Sequence, residues 1–319
     1  MKKKSFLVTG GTGFIGAAIT KHLINSNHKV SVLDNNSRGK LGRLSDVKKK
    51  FSFIKADIRN AKKVSLACKN KDAVIHLAYV NGTEFFYKKP VEILDIAVKG
   101  IINVIESCIK NNVKELYLAS SSEVYQTPNT VPTKEDEMLK VPDVYNPRYS
   151  YGGGKIISEL LGVHYGKKHF KKLVIFRPHN VYGFDMGNEH VIPQFINRMK
   201  SITKKNKNFY ILGSGNEIRS FIHINDFANA FNLILKKGKH LQIYNIGTSE
   251  KVKISKLALL VSKLMNKKIV IKNKKIAKGS TKVRCPDISK LKKLGFIKKV
   301  SLTEGLKQVI NNHRKINKK

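Results

Sequence analysis

The hydrophobic pattern of the first half of the chain alternates between two periods. Short apolar runs rich in β-formers occur at 5–9, 29–33, 51–55, 73–77, 115–119 and 173–176. Between them, 14–25, 60–69, 91–111 and 149–169 carry helical spacing; Phe14, Ile15, Ala18, Ile19 and Leu23 trace the apolar stripe of the first. Nearly continuous apolar strands separated by amphipathic helices predict a parallel sheet covered on both faces. After Pro178 the pattern changes to a helix at 191–202, short strands at 209–212 and 220–223, and a helix at 225–236. A strand at 242–246 and helices at 254–266 and 303–313 follow. This predicts a smaller lobe, with part of the chain returning to the sheet. The Lys-rich end after Asn311 is expected to fray.

Length and composition narrow the class. A chain of 319 residues makes one large domain or two intimate ones, with core enough to need no disulfide or metal. The longest plain aliphatic run, 257–261, is far short of the roughly 20 residues of a membrane span. The basic start is followed by an apolar stretch too short for a secretory leader. Cys68, Cys108 and Cys285 have neither disulfide-framework nor zinc-site spacing. These features read as a reduced, soluble, cytoplasmic protein without a membrane partner. The net charge of +40 points first to nucleic acid, but Lys supplies 53 of the 62 basic residues and is scattered in twos and threes. The last 69 residues carry 22 basic groups against Asp287 and Glu304. The reading is solvated lysine faces rather than a nucleic-acid site.

Candidate chemistry begins at the turn Thr9-Gly10-Gly11-Thr12-Gly13-Phe14-Ile15-Gly16, between the first strand and the first helix. Gly10 permits a tight turn, Gly13 lets backbone approach a pyrophosphate, and Gly16 lets helix and strand pack closely. Phe14 and Ile15 open a helix whose free N–H groups and positive dipole end suit phosphate. Asp34 ends the second strand 18 residues after Gly16, where a carboxylate binds ribose hydroxyls and repels a 2′-phosphate. That favours NAD over NADP, with Arg38 four residues on as the counter-signal. Asp57-Ile58 follows the third strand, where such folds touch adenine, and His76-Leu77-Ala78 ends the fourth at the mouth of the sheet. His76 reads equally as a packed core residue. The fold class predicted is α/β: a Rossmann-type doubly wound parallel sheet with a smaller C-terminal α/β substrate lobe.

A second constellation is Tyr151-Gly152-Gly153-Gly154-Lys155 at the start of a predicted helix. Residues four apart share a helix face, so the ammonium is expected beside the phenol, lowering its pKa and making Tyr151 a general base. The fifth strand ends in Ser120-Ser121-Ser122-Glu123-Val124-Tyr125, 30 residues before Tyr151 counting from Ser121. Its hydroxyls suit a substrate alcohol or ketone, and Glu123 suits a second proton transfer.

Together these motifs resemble the extended short-chain dehydrogenase/reductases, and within them the NAD-dependent nucleotide-sugar epimerase/dehydratase family. The resemblance covers nearly the whole chain. It includes Arg177-Pro178-His179-Asn180-Val181-Tyr182-Gly183, His190-Val191-Ile192-Pro193, Gly213 to Arg219, Phe221 to Asp226, Tyr244 to Gly247, and Arg284-Cys285-Pro286-Asp287. It implies that Tyr151 is the base, that Lys155 tunes it and holds the nicotinamide ribose, and that Ser121 bonds the reacting oxygen. Ser122, Asn180, Arg219 and Arg284 become candidate substrate contacts. It also implies a tightly bound, regenerated NAD, transient oxidation at C4 of a nucleotide-diphosphate hexose, and pairing into a homodimer through helices near 91–111 and 149–169. The implied division is 1–178 with 220–248 for NAD, and 179–219 with 249–319 for the sugar nucleotide.

The chain departs from the family pattern in several places. Gln126 stands where Gly usually follows Val-Tyr, Ala97 where an Asn is common, and bulky Tyr79 follows His-Leu-Ala. Glu123 tilts the reading from simple epimerisation towards C5 chemistry, with a uronate decarboxylase or a 4-ketosugar reductase as alternatives. A non-catalytic Rossmann protein binding RNA through its basic surface is the reading from another class.

Overall fold

The computed structural model describes residues 2–275 and 279–316. Its strands are β1 (Ser5–Thr9), β2 (Lys29–Asp34), β3 (Phe51–Lys55), β4 (Ala73–His76), β5 (Glu115–Ala119), β6 (Lys172–Pro178) and β7 (Val181–Tyr182). Downstream come β8 (Asn208–Leu212), β9 (Ile218–Arg219), β10 (Ile222–His223), β11 (Gln242–Ile246), β12 (Val252–Lys253), β13 (Val270–Lys274) and β14 (Val283–Arg284). The helices are α1 (Phe14–Asn25), α2 (Ala61–Cys68), α3 (Thr83–Lys88), α4 (Pro90–Lys110) and α5 (Tyr149–His169). They continue with α6 (Val191–Lys200), α7 (Ile224–Lys237), α8 (Ile254–Leu264), α9 (Ser289–Lys293) and α10 (Leu302–Ile316).

Seven strands form one parallel sheet in the order β11-β6-β5-β4-β1-β2-β3. The period-2 pattern divides each strand between two cores. Phe6, Val8, Val30, Val32, Tyr117 and Phe176 point to one face, where α1 and α7 supply Ile19, Leu23, Phe227 and Phe231. Leu7, Leu33, Val74, Leu116 and Leu118 point to the other, against Val64 of α2 and Ile101 and Val104 of α4. Burying each such side chain is worth about 1.5–3 kcal/mol, so a sheet covered on both faces carries most of the fold's driving force. A third core belongs to the smaller lobe. There α6 contributes Ile192, Phe195, Ile196 and Met199, spaced three and four apart, against Leu257 and Val261 of α8 and Leu306 and Val309 of α10.

The sequence pattern misses the short pieces. The six-residue α3 is too brief to show a period. The segment Leu41–Lys50 is 3-10 helix interrupted by a kink at Val47, and buries Leu44 and Val47. The predicted strand at 220–223 is split into β9 and β10 around Ser220 and Phe221. Helix α10 runs on past Asn311, where fraying was expected, and 317–319 lie outside the described residues. The cysteines are free, and Cys68 of α2 and Cys108 of α4 lie side by side in one core. Among the described residues no helix is long and apolar enough to cross a membrane, and no cluster of His, Cys, Asp or Glu forms a metal site.

Candidate active site

Strand order reverses between β4 and β1, so their connections leave in opposite directions and open a crevice at the carboxyl edge. A cleft of about 580 Å³ lies there. Gly10 takes φ +71°, and a Cβ on it would stand 2.6 Å from the Ala78 nitrogen, so the ends of β1 and β4 touch only because it is glycine. A Cβ on Gly16 would meet the Gly10 carbonyl oxygen at 2.0 Å, which fixes the seat of α1 beneath the turn. Gly13 precedes α1 without any side-chain cap on the first turn, and a Cβ there would meet only the Gly10 oxygen, at 3.1 Å. The helix N-terminus is therefore open to the cleft, flanked by Phe14 and Ile15.

Asp34 is buried at the end of β2. Its carboxylate accepts from the Thr12 amide at 3.0 Å and from the Asn36 amide at 2.8 Å, and it lines the cleft. Asp57 accepts from Arg59 at 2.9 and 3.0 Å and from Asn35 at 2.9 Å; the Arg59 hydrogen bond holds its carboxyl below the ordinary range. Ile58, Leu77 and Ala78 complete this wall. The carboxylate acceptors and the open helix end fit a dinucleotide laid across the switch point. His76 is a core residue: its ring lies 2.8 Å from the Thr9 hydroxyl, burial pushes its pKa down to about 3, and it does not line the cleft.

Two further arginines join the cleft walls: Arg43, which carries no motif signal, and Arg38, the counter-signal to NAD. Arg43 reaches across to Asp185, donating to its carboxylate and its carbonyl, each at 2.7 Å, and to the Thr12 carbonyl at 3.1 Å. Arg38 pairs with Glu189 and lies 4.4 Å over the Phe85 ring. The loop after β2 is thereby fastened to the loop before α6.

At the other end, α5 presents Tyr151 and Lys155 to the cleft, next to the Ser121–Glu123 turn that follows β5. A buried pair holds α5 to the sheet beneath them: Arg177 of β6 grips both carboxylate oxygens of Glu159, at 2.8 and 2.6 Å. Tyr151 lies beside Ser121, stacks on Phe86 at 4.9 Å and meets the Tyr79 ring edge-on at 5.0 Å. The expectation of a lowered phenol pKa is corrected here. Burial under the two rings raises it, opposed in part by the Ser121 hydrogen bond. The Lys155 ammonium lies 5.9 Å from the Tyr151 ring centre and donates to the Ala119 carbonyl at 2.7 Å. Burial pushes the lysine down to about 7.

Glu123 and Arg284, both expected to face substrate, pair with each other. Two parallel hydrogen bonds of 2.6 and 3.0 Å join them. Arg148, the residue before α5, stands 4.0 Å from the same carboxylate, and its buried Nε has no partner. Arg219 donates to the Thr281 carbonyl at 2.8 Å and is drawn down to about 10 by burial and by Arg284. Three guanidinium groups thus act on the Glu123 carboxylate, and with Glu217 beside Arg219 the site stays net positive. Burial alone would raise the Glu123 pKa, but Arg284 and Arg148 hold it below the ordinary glutamate range. Ser122 lines the cleft nearby, and Asn180, at φ +37°, lines it while donating to the Ser220 carbonyl at 2.8 Å. Arg148 lies three residues before Tyr151, but nothing in its local sequence marks it as a site residue.

Comparison with known proteins gives a consistent answer. A relative from Methanocaldococcus jannaschii, provisionally named UDP-glucose 4-epimerase, is 32% identical over 96% of this chain and 97% of its own. The UDP-N-acetyl-alpha-D-glucosaminuronate decarboxylase of Bacillus cytotoxicus is 28% identical over 98% of this chain and 99% of its own. The crystal structure of the Thermotoga maritima UDP-glucose 4-epimerase with UDP-glucose superposes with a TM-score of 0.87, at 27% identity, over 98% of this chain and 99% of that one. The profile of one family spans residues 6–247, and on that match the chain belongs to the NAD dependent epimerase/dehydratase family.

Proposed function

We propose that the chain is an NAD-dependent nucleotide-sugar epimerase/dehydratase that works through transient oxidation at C4 of a nucleotide-diphosphate hexose. The observation that carries this reading is that one cleft joins the open end of α1, the Tyr151–Ser121 pair and the three arginines around Glu123. Residues 1–178 with 220–248 hold NAD in this reading, and 179–219 with 249–319 hold the sugar nucleotide. Bound NAD supplies the acceptor and donor of the two electrons. The chain's own groups do the rest. Asp34 takes the adenosine ribose hydroxyls, and the first turn of α1 takes the pyrophosphate. Ser121 orients the sugar C4 oxygen, and Tyr151 accepts its proton as the phenolate; burial opposes that ionisation, and the positive charge that oxidised NAD would bring beside the ring favours it. Lys155 holds the nicotinamide ribose, and its charge favours the phenolate form of Tyr151 that takes the proton.

Arg148, Arg219 and Arg284 suit the substrate diphosphate. A diphosphate on Arg284 competes with Glu123 for the guanidinium and leaves the carboxylate free to take a second proton. That step, at C5, distinguishes dehydration from epimerisation, and the Glu123–Arg284 pair also suits the uronate chemistry of a decarboxylase. Free, buried thiols support a reducing cytoplasmic setting. Exposed Leu94 on α4 and Ile157 and Leu160 on α5 support a homodimer through these helices.

The deciding experiment is mass spectrometry of products from a panel of UDP-, GDP-, dTDP- and CDP-sugars with no added cofactor. Loss of one water identifies a 4,6-dehydratase, loss of carbon dioxide a decarboxylase, and an isomer of unchanged mass an epimerase. No turnover of any sugar, with RNA co-purifying, overturns the enzymatic reading.

A further inference from the structure

Two of the chain's departures from its family pattern meet at one point beside the candidate catalytic pair. Tyr79 follows β4 and lines the cleft. Its ring face lies 3.8 Å from the Lys155 ammonium, and its edge meets the Tyr151 ring at 5.0 Å. Its hydroxyl is fully buried and has no hydrogen-bond partner. The hydroxyl fits only because position 154 has no side chain: a Cβ on Gly154 would stand 2.2 Å from it and 2.6 Å from the Ala97 methyl. The Asn common at position 97 would extend further into the same space. Tyr79, Ala97 and Gly154 are thus one packing solution, which accounts for a glycine inside a helix where alanine would be more favourable. A buried hydroxyl left unsatisfied costs stability. What this arrangement gains is an aromatic face under the Lys155 ammonium.

We propose that Tyr79 is a positioning residue for Lys155 and Tyr151, seated by the missing side chain at Gly154 and the short one at Ala97. The ring face attracts the ammonium through its quadrupole, which restrains the lysine head between Tyr79 and the Ala119 carbonyl. The ring edge fixes the tilt of the Tyr151 phenol towards Ser121. The inference rests on the proposed roles of Tyr151 and Lys155.

The test compares Tyr79→Leu, which removes the ring, with Tyr79→Phe, which keeps it and loses only the orphaned hydroxyl. Two quantities are read on each: the NAD affinity of stripped protein, and kcat and KM for whichever sugar nucleotide the wild type turns over. Tyr79→Leu is expected to weaken NAD binding about tenfold and to lower kcat about tenfold, with KM for the sugar nucleotide within about twofold. Tyr79→Phe is expected to restore both. Equal losses in the two variants would assign the effect to the hydroxyl and overturn the proposal. A raised KM with unchanged kcat and NAD affinity would overturn it too. Gly154→Ala leaves Tyr79 in the chain but drives its ring aside, and is expected to reproduce the Tyr79→Leu losses; it decides the matter if Tyr79→Leu fails to fold. If the wild type turns over no sugar nucleotide, the proposed function falls, and the NAD affinities still decide for or against Tyr79.

Discussion

The two ends of the cleft are built differently. At the cofactor end two key groups are held by backbone: Asp34 by the Thr12 and Asn36 amides, and Gly10 by the ends of β1 and β4. At the substrate end the groups are held by one another, from distant parts of the chain. Glu123 and Arg284 are 161 residues apart in sequence and joined by two hydrogen bonds. The first end is a preformed cradle of fixed dipoles. The second is a balance of charges, which in the proposed function an incoming anion would shift by taking guanidinium groups from a carboxylate. Preformed dipoles give tight, lasting binding, whereas exchangeable ion pairs let each substrate rearrange the site as it arrives.

The largest effect should come from Tyr151→Phe, which removes the proton acceptor between the two ends. Turnover is expected to fall by about 10³–10⁴, with NAD and sugar nucleotide still bound. Wild-type rates in this variant would place the base elsewhere.

Glu123→Gln breaks the charge balance. It leaves Arg284 buried against a neutral partner, and a loss of about 2–4 kcal/mol in stability is expected by denaturant unfolding. The loss depends on pH with a definite sign. The folded carboxyl titrates below the ordinary glutamate value of about 4.3, so the Glu123 contribution is complete above that value. It is lost as pH falls through the folded value. The stability gap between wild type and variant should therefore be full at neutral pH and close in acid; a gap that widened in acid would mean that Glu123 is protonated in the folded protein.

Asp34→Ala tests the cradle. Loss of a carboxylate bonded to ribose should weaken NAD by about 10–100-fold while barely moving the affinity for the sugar nucleotide, as calorimetry on each ligand would show. Equal weakening of both ligands would indicate damage to the fold. The smallest effect is expected at Arg43→Ala, which unfastens the loop after β2 from Asp185. Faster NAD release, by about 3–10-fold in a stopped-flow chase, is anticipated for a partly exposed pair. An unchanged release rate would show that the two loops do not retain the cofactor.

The sequence by itself determined the central sheet, its helices, the glycine turn, Asp34 and the Tyr151/Lys155 spacing. Each is written in residues close together in the chain, as a period, a turn or a four-residue step, and such signals survive without knowledge of distant contacts. Tertiary structure alone decided the rest. Spacing set Tyr151 and Lys155 on one face but left open what would cover them; Phe86 and Tyr79 bury the phenol and reverse the expected direction of its pKa. Glu123 and Arg284 read as two separate contacts until the fold brought them together. Arg148 and the Arg43–Asp185 link had no signal, because an arginine's partner is fixed by where remote loops converge. Desolvation and ion pairing depend on which atoms end up adjacent, and adjacency across a fold is a property of packing rather than of order along the chain.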